Sequence, residues 1–320
     1  MKVIEKILNV DSKRSDPKFS YEIVPPQRGR SVKDIIDAAE TLINLDPQWI
    51  DVTSHASSAV FTENSDGSIH KRVYRKRPGT LGICGIIQNR FKIDTVAHIL
   101  CEGFSREETE DALIELSFLG IHNVLALKGD SPNHQKPMSS TRTSNKYASD
   151  LVSQIVELRS GQFVSDISAG DGLDFCVGVA GYPEKHFEAA NSKTDILNLK
   201  KKVDAGADYI VSQMFYDNKK FFDFVAGCRE AGITAPIIPG LKILKSASQL
   251  KSIPRHFHID LPDELVDRVM DSPQQAQEIG KEWTHKQAVE LIDAGYKNIH
   301  FYIMNDAVEV SNVVRKITKL

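Results

Sequence analysis

The chain has 320 residues, 41% of them hydrophobic and 26% charged, with a formal net charge of −3. Its length can bury a full core as one domain over 1–320, and its short basic clusters, mixed with acid, leave no footprint for nucleic acid. No apolar run is long enough to span a bilayer and Met1-Lys2-Val3-Ile4-Glu5 is not a signal peptide, so no membrane association is expected and the expected location is the cytoplasm.

Taken in chain order, short runs rich in Val, Ile, Phe or Leu and edged by Gly, Pro, Asp or Asn alternate with amphipathic stretches. Strands are predicted over 19–25, 49–54, 94–101, 123–128, 174–181, 209–214, 236–241 and 298–304. Between them, Ser31 caps a helix through Leu45 and Thr80 caps one through Arg90. Ser105-Arg106-Glu107-Glu108 has the form of a capping box before a helix ending at Gly120. Further helices are predicted over 148–159, 194–205, 218–231, 246–253, 262–270, 272–294 and 306–318. Alternating strands and helices imply parallel pairing with right-handed crossovers. Eight such units fit a closed (β/α)8 TIM barrel with extra helices before the last strand; a doubly wound open sheet is the competitor. Three stretches break the rhythm. A polar loop at 131–146 follows the fourth strand, where barrel active-site loops lie. A Gly-, Ser- and Asp-rich segment at 160–173 reads as a hairpin insertion on the opposite face, and 254–296 is too long for one crossover. Cys84, Cys101, Cys176 and Cys228 stand far apart in mostly apolar surroundings, with no CxxC or Cys/His zinc spacing; they read as reduced core residues, and no metal is expected.

Chemistry concentrates at the predicted strand ends. Phe19-Ser20-Tyr21-Glu22-Ile23-Val24 sets a carboxylate inside an apolar strand, and Leu127-Lys128-Gly129-Asp130 ends another with a second one. A buried carboxylate is costly unless paired or protonated, and that cost raises its pKa into the range of a general acid; the plainer reading is a charge at a solvated strand end. Period-two alternation places Ser20, Glu22 and Val24 on one face. His98, inside Thr95–Cys101, reads either as a hydrogen-bonded core residue or as a site residue. Gln213 needs several partners if buried, which a ligand could supply. Tyr182-Pro183-Glu184-Lys185-His186 ends the fifth strand. On the helix that follows, Asp195, Asn198 and Lys202 share a face suited to a ribose and diphosphate, or simply to solvent. No Gly-x-Gly-x-x-Gly, P-loop or Gly-x-Ser-x-Gly elbow appears.

These segments resemble the methylenetetrahydrofolate reductase family along nearly the whole chain. The likeness rests on Phe19–Glu22 with Pro25-Pro26, Val52-Thr53, His98 with Cys101, and Ala126–Asp130. It continues through Tyr147–Leu151, Tyr182–Glu184 with His186, Asp195–Gly206, Gln213, Ile238–Gly240 and His300–Tyr302. The resemblance implies a (β/α)8 barrel that binds FAD at the C-terminal ends of its strands. It carries FAD contacts to Thr53, Ser54, Ala56, His98, Lys128, Gly129, Asp130, Tyr147, Ala148, Tyr182, His186, Asp195, Asn198, Lys201 and Lys202. It makes Glu22 the general acid and gives Asp130 a catalytic role beside the flavin and the pterin. Folate contacts fall to Gln213, Gln249 and Tyr302, with Glu22 and Gln213 bordering the nicotinamide. The implied reaction is reduction of 5,10-methylenetetrahydrofolate to 5-methyltetrahydrofolate by NADH or NADPH, ping-pong through FAD; homo-oligomers are common in the family. The competing readings are another FAD-dependent barrel oxidoreductase, such as one acting on proline, and a non-catalytic barrel that binds folate or nucleotide.

The chain departs from the family pattern in places. Lys128 replaces an arginine, keeping the charge but losing the two-pronged fork. Asp306 replaces an arginine suspected of touching folate, and Ile253 stands where an aromatic would stack. The segment 160–173 is longer than in compact bacterial relatives. The chain stops at Leu320 without the large regulatory domain of the eukaryotic enzymes, so feedback inhibition by S-adenosylmethionine is not expected.

Overall fold

The computed structural model describes residues 1–10, 16–55, 58–74, 77–129, 143–164, 170–304 and 307–318. The principal sheet runs β1 (Lys18–Ile23), β2 (Ile50–Val52), then, after a separate hairpin of β3 (Ser58–Glu63) and β4 (Ile69–Tyr74), β5 (Thr95–Leu100), β6 (Asn123–Leu127), β7 (Cys176–Gly181), β8 (Tyr209–Ser212), β9 (Ile237–Ile238), β10 (Gly240–Leu241) and β11 (Asn298–Met304). Its order is β10-β11-β1-β2-β5-β6-β7-β8-β9, with every pairing parallel. The two ends of that order are one strand interrupted at Pro239: β9 pairs with β8 and β10 with β11. Pro239 has no N–H to give a ladder, but its carbonyl accepts from His300 N at 2.9 Å. The sheet thus closes as the eight-stranded barrel that the alternation implies.

Alternation along each strand sorts the side chains into two cores. Tyr21, Ile23, Val52, Ala97, Val177 and Phe301 face outward into the layer between sheet and helices. Trp49, Val96, Leu125, Tyr209, Val211 and Ile238 point into the lumen and fill its floor. Gly178 makes room for this packing, because a Cβ there would lie 2.4 Å from the Tyr209 ring. A short helix missed by pattern reading, α1 (Val3–Leu8), seals the floor: Val3 and Ile7 join the lumenal cluster, and Val3 N donates to Asn123 Oδ1 at 2.8 Å. A third cluster, including Tyr216, Leu244, Ile253 and Trp283, packs the extra helices α8 (Gln249–Phe257), α9 (Asp263–Asp271) and α10 (Ala276–Asp293) that precede the last strand.

The other helices are α2 (Lys33–Ile43), α3 (Thr80–Phe91), α4 (Arg106–Phe118), α5 (Ala148–Arg159), α6 (Ser192–Asp204), α7 (Asn218–Glu230) and α11 (Ala307–Thr318). The capping box is present, with Ser105 Oγ accepting from Glu108 N at 3.1 Å and Glu108 Oε2 accepting from Ser105 N at 2.9 Å. Thr80 is not a cap. It is the first helical residue after Gly79, and its hydroxyl donates to Thr53 O at 2.9 Å, tying α3 to the end of β2. The helix predicted to stop at 253 runs through Pro254 to Phe257, because Ile253 and its neighbours pack into the third cluster. The β3–β4 hairpin was not predicted, although its strands flank an Asp66-Gly67 turn in which Gly67 takes φ 79°. The described parts of 160–173 contain no strand. All four cysteines are buried and unbridged. Burial pushes the Cys101, Cys176 and Cys228 thiols up to about 12. Among the described residues, no helix is long and apolar enough to cross a membrane.

Candidate active site

Glu22 stands in the upper lumen near the C-terminal end of β1, its side chain 12% exposed. A register shift against β11 falls between Glu22 and Ile23, so that Glu22 pairs with Tyr302 and Ile23 with Met304. Such bulges re-aim a side chain and cluster beside active sites. Around Glu22 lies a polar network in an otherwise apolar lumen. His98 Nε2 is 3.6 Å from Glu22 Oε2 and 3.5 Å from Asp51 Oδ1. Asp51, 1% exposed, accepts from Trp49 Nε1 at 2.7 Å, and its Oδ2 lies 3.7 Å from His300 Nδ1. Ser20 Oγ and His300 Nδ1 complete the chain at 2.8 Å. Burial lowers His300 to about 4, so its ring is neutral near pH 7. Burial, then the nearby Glu22, Asp51 and Tyr182, push the Tyr302 phenol well above its ordinary value. Tyr302 donates to Ser212 O at 2.6 Å and crosses the His300 ring edge-on at 5.1 Å. Gly240 permits this arrangement, since a Cβ there would meet Ser212 O at 2.3 Å and Tyr302 Cε2 at 2.6 Å.

On the opposite side of the mouth, the loop between β7 and α6 assembles the second group. Asn191 caps α6, accepting from Thr194 N at 2.8 Å. Asp195, buried on the inner face, accepts from His186 N at 3.1 Å, and burial raises its carboxyl. Lys202 donates to Ala180 O at 2.5 Å and stands 5.9 Å from the Tyr182 ring centre. Burial lowers its ammonium from 10.5 to about 8, with Asp195 opposing the shift. The His186 ring meets Tyr182 edge-on at 4.7 Å, and burial lowers its pKa too. Asn198 is exposed on the flank and accepts from Lys201 Nζ at 3.1 Å. Of the predicted helix face, then, Asp195 and Lys202 turn inward while Asn198 and Lys201 pair at the surface.

Ser54 follows Thr53 at the end of β2, and Tyr147 and Ala148 open α5. Lys128 Nζ grips both Glu188 carboxylate oxygens, at 2.7 and 2.6 Å, which ties β6 to the loop carrying His186. Gly129 takes φ 107°, a left-handed backbone that favours glycine. Gln213 Oε1 accepts from Met214 N at 2.9 Å, and Gln249 Oε1 from Lys245 N at 2.6 Å. Ile253 is buried in the third cluster. Ala56, Asp130 and Asp306 lie outside the described residues.

The residues present fit a flavin dinucleotide. Thr53 Oγ1 is buried with no hydrogen-bond partner among the described residues, and Lys202 is a buried cation short of full compensation, which a diphosphate would provide. Pattern reading passed over Asp51 and Lys242. Asp51 carried the same signal as Glu22, a carboxylate inside an apolar strand. Lys242, 5% exposed, follows Gly240 at a lumenal position two residues on.

Comparison with known proteins places this geometry. The family model described as methylenetetrahydrofolate reductase matches residues 5–318. Methylenetetrahydrofolate reductase (NADH) 1 of Zea mays is 30% identical over 95% of this chain and 49% of its own length. Methylenetetrahydrofolate reductase 1 of Schizosaccharomyces pombe is 30% identical over 99% and 48%. The chain therefore spans about half the length of these relatives. The 5,10-methylenetetrahydrofolate reductase of Escherichia coli is 28% identical, covering 90% of this chain and 86% of that protein. Among solved structures, an uncharacterised Clostridium thermocellum protein that binds two copies of 5-methyl-5,6,7,8-tetrahydrofolic acid superposes with a TM-score of 0.59 at 15% identity, covering 99% of both chains. That last likeness concerns the fold; the match along the sequence, over a barrel with an acid set in its lumen, is specific, and the chain belongs to the methylenetetrahydrofolate reductase family.

Proposed function

We propose that this barrel reduces 5,10-methylenetetrahydrofolate to 5-methyltetrahydrofolate with NADH or NADPH, ping-pong through FAD held at its mouth. The observation that carries the reading is Glu22, a largely buried carboxyl that the alternation of β1 turns into the lumen beside Asp51, His98 and Tyr302. Bound there, the flavin would take a hydride from the nicotinamide and hand it to the folate. The protein's own tasks are to bind, to orient and to move one proton. Lys202, with Lys201 at the surface, answers the diphosphate charge. Asp195, His186, Asn198 and Tyr182 hold the ribose and adenosine end, while Thr53, Ser54 and His98 face the remainder, to which the family likeness also assigns Ala56. Lys128, Gly129, Tyr147 and Ala148 close the rim.

The five-membered ring of the folate must open to a cationic iminium before it can accept hydride. Opening needs a proton at N10: the Glu22 O–H bond breaks, an N–H bond forms, and the Glu22 carboxylate remains. A positioned acid of this kind contributes about 10²–10⁴-fold. Asp130 is assigned to the pterin and to the developing cation, where a carboxylate stabilises positive charge. Gln213, Gln249 and Tyr302 are assigned to the folate. The reading carries with it a cytoplasmic location and a product that donates its methyl group toward methionine.

The test is an anaerobic visible spectrum of the purified, FAD-loaded chain. Bleaching by NADH or NADPH followed by return of colour with methylenetetrahydrofolate supports the proposal. A protein that binds no flavin fits the sensor reading instead. One that bleaches with nicotinamide but stays bleached with folate fits a different barrel oxidoreductase.

A further inference from the structure

Asp51 stands beside the acid, paired with Glu22 across β1 and β2, and is among the most buried charged groups of the described residues, 1% exposed. Its Oδ2 accepts one hydrogen bond, from Trp49 Nε1, and its Oδ1 has none among the described residues. A carboxylate so placed needs a counter-charge. Two imidazoles stand close enough. His300 is held neutral by burial and is hydrogen-bonded through Nδ1 to Ser20. That leaves His98, whose Nε2 lies 3.5 Å from Asp51 and 3.6 Å from Glu22, within ion-pair reach of both carboxyls through a single nitrogen.

We propose that Asp51 is a positioning residue that, through a His98 imidazolium shared with Glu22, keeps Glu22 loaded with the proton it donates. This rests on the reading of Glu22 as the acid. With Asp51 ionised and His98 protonated the pair is neutral, so Glu22 beside it is not stripped of its proton by an uncompensated cation. When Glu22 gives its proton to folate N10, its new carboxylate faces the His98 N–H, and one proton from water reloads it. The charge count over a turnover is closed by that single proton.

The other titratable groups around the cluster do not take over this role. Tyr209 from β8, Tyr302 from β11 and Cys84 from α3 are all pushed upward by burial and stay neutral near pH 7. His55, just past the end of β2, is lowered to about 4 by burial and then by Arg77 and His98. Lys242 is buried as well and is the same in wild type and variant.

The experiment compares the FAD-loaded wild type with Asp51→Asn, which keeps the shape and the Trp49 acceptor but removes the charge. Removing a negative charge lowers the proton affinity of both neighbours, so the folate step should lose its activity at a lower pH, shifted down by about one to two pH units, with about a tenfold loss near neutrality. Flavin bleaching by nicotinamide should be unchanged. The second readout needs no turnover: with 15N-labelled histidine, the His98 ring should be doubly protonated at pH 7 in the wild type and titrate at a lower pH in Asp51→Asn. An unmoved folate pH profile, or equal losses in both half-reactions, would overturn the proposal. So would a singly protonated His98 in the wild type, a measurement that stands even if Asp51→Asn does not fold. Failure of the functional reading looks different: no folate turnover at all, with the His98 signal still tied to Asp51.

Discussion

Replacing Lys202 with methionine separates what the fold wants from what the site wants. Its ammonium is lowered from 10.5 to about 8 by burial, which corresponds to about 3.4 kcal/mol at full weight. Because the stem of the residue is partly exposed while its buried ammonium already donates to Ala180 O, the working figure is about 1–3 kcal/mol. The sign follows from linkage. A depressed lysine leaves the unfolded chain with more bound protons between about pH 8 and 10.5, so apo-protein stability rises through that window and the penalty is complete below it. Lys202→Met removes the penalty while keeping the side chain's apolar stem. At pH 7 the flavin-free variant should therefore melt higher than wild type, by about 2 °C per kcal/mol regained. Its flavin affinity should fall roughly 10–100-fold, the worth of a charge-assisted contact to a diphosphate. Wild-type affinity should also fall as pH rises through about 8, and the variant's should not. Thermal melts with and without FAD, and flavin fluorescence titrations at pH 7 and 9.5, read all of these. A flavin-free variant less stable than wild type, or one binding FAD as tightly at both pH values, refutes the assignment of Lys202 as a buried cation kept for phosphate.

Gly240→Ala should cost about 2–4 kcal/mol in urea unfolding, since its Cβ would force Ser212 O and Tyr302 apart and break their 2.6 Å hydrogen bond; a change below about 0.5 kcal/mol, the scale of an ordinary surface substitution, contradicts this. Lys128→Arg should keep FAD bound, because a guanidinium can hold through two parallel bonds both Glu188 oxygens that the single ammonium nitrogen now holds. Loss of flavin on dialysis would show instead that lysine's compactness is required.

Most of the barrel was legible because its strands are short, β-branched and sharply bounded, and because most outward positions of the barrel strands are apolar. Where pattern and structure part, the cause is tertiary. The floor helix α1 is only six residues, too short to form alone, and exists by packing Val3 and Ile7 against Trp49 and its neighbours. The passage of α8 through Pro254 overrides a local breaker because Ile253 is anchored below it. The site was legible in part. Glu22 and Lys202 stood out as charges in apolar or phosphate-suited settings. The partnership of His98 with Asp51 did not, since the two lie on neighbouring strands and nothing in sequence spacing joins residue 51 to residue 98. Whether Asp195 or Asn198 would turn inward depends on the capping of α6 by Asn191 and on the His186 backbone, neither of which a face count resolves.

The most direct measurement is anaerobic stopped-flow on Glu22→Gln, following flavin absorbance in each half-reaction separately. With Glu22 as proton donor to folate alone, bleaching by nicotinamide should run at nearly the wild-type rate, while return of colour with methylenetetrahydrofolate should slow by about 10²-fold or more. Equal slowing of both halves, or a folate step that runs at the wild-type rate, contradicts it.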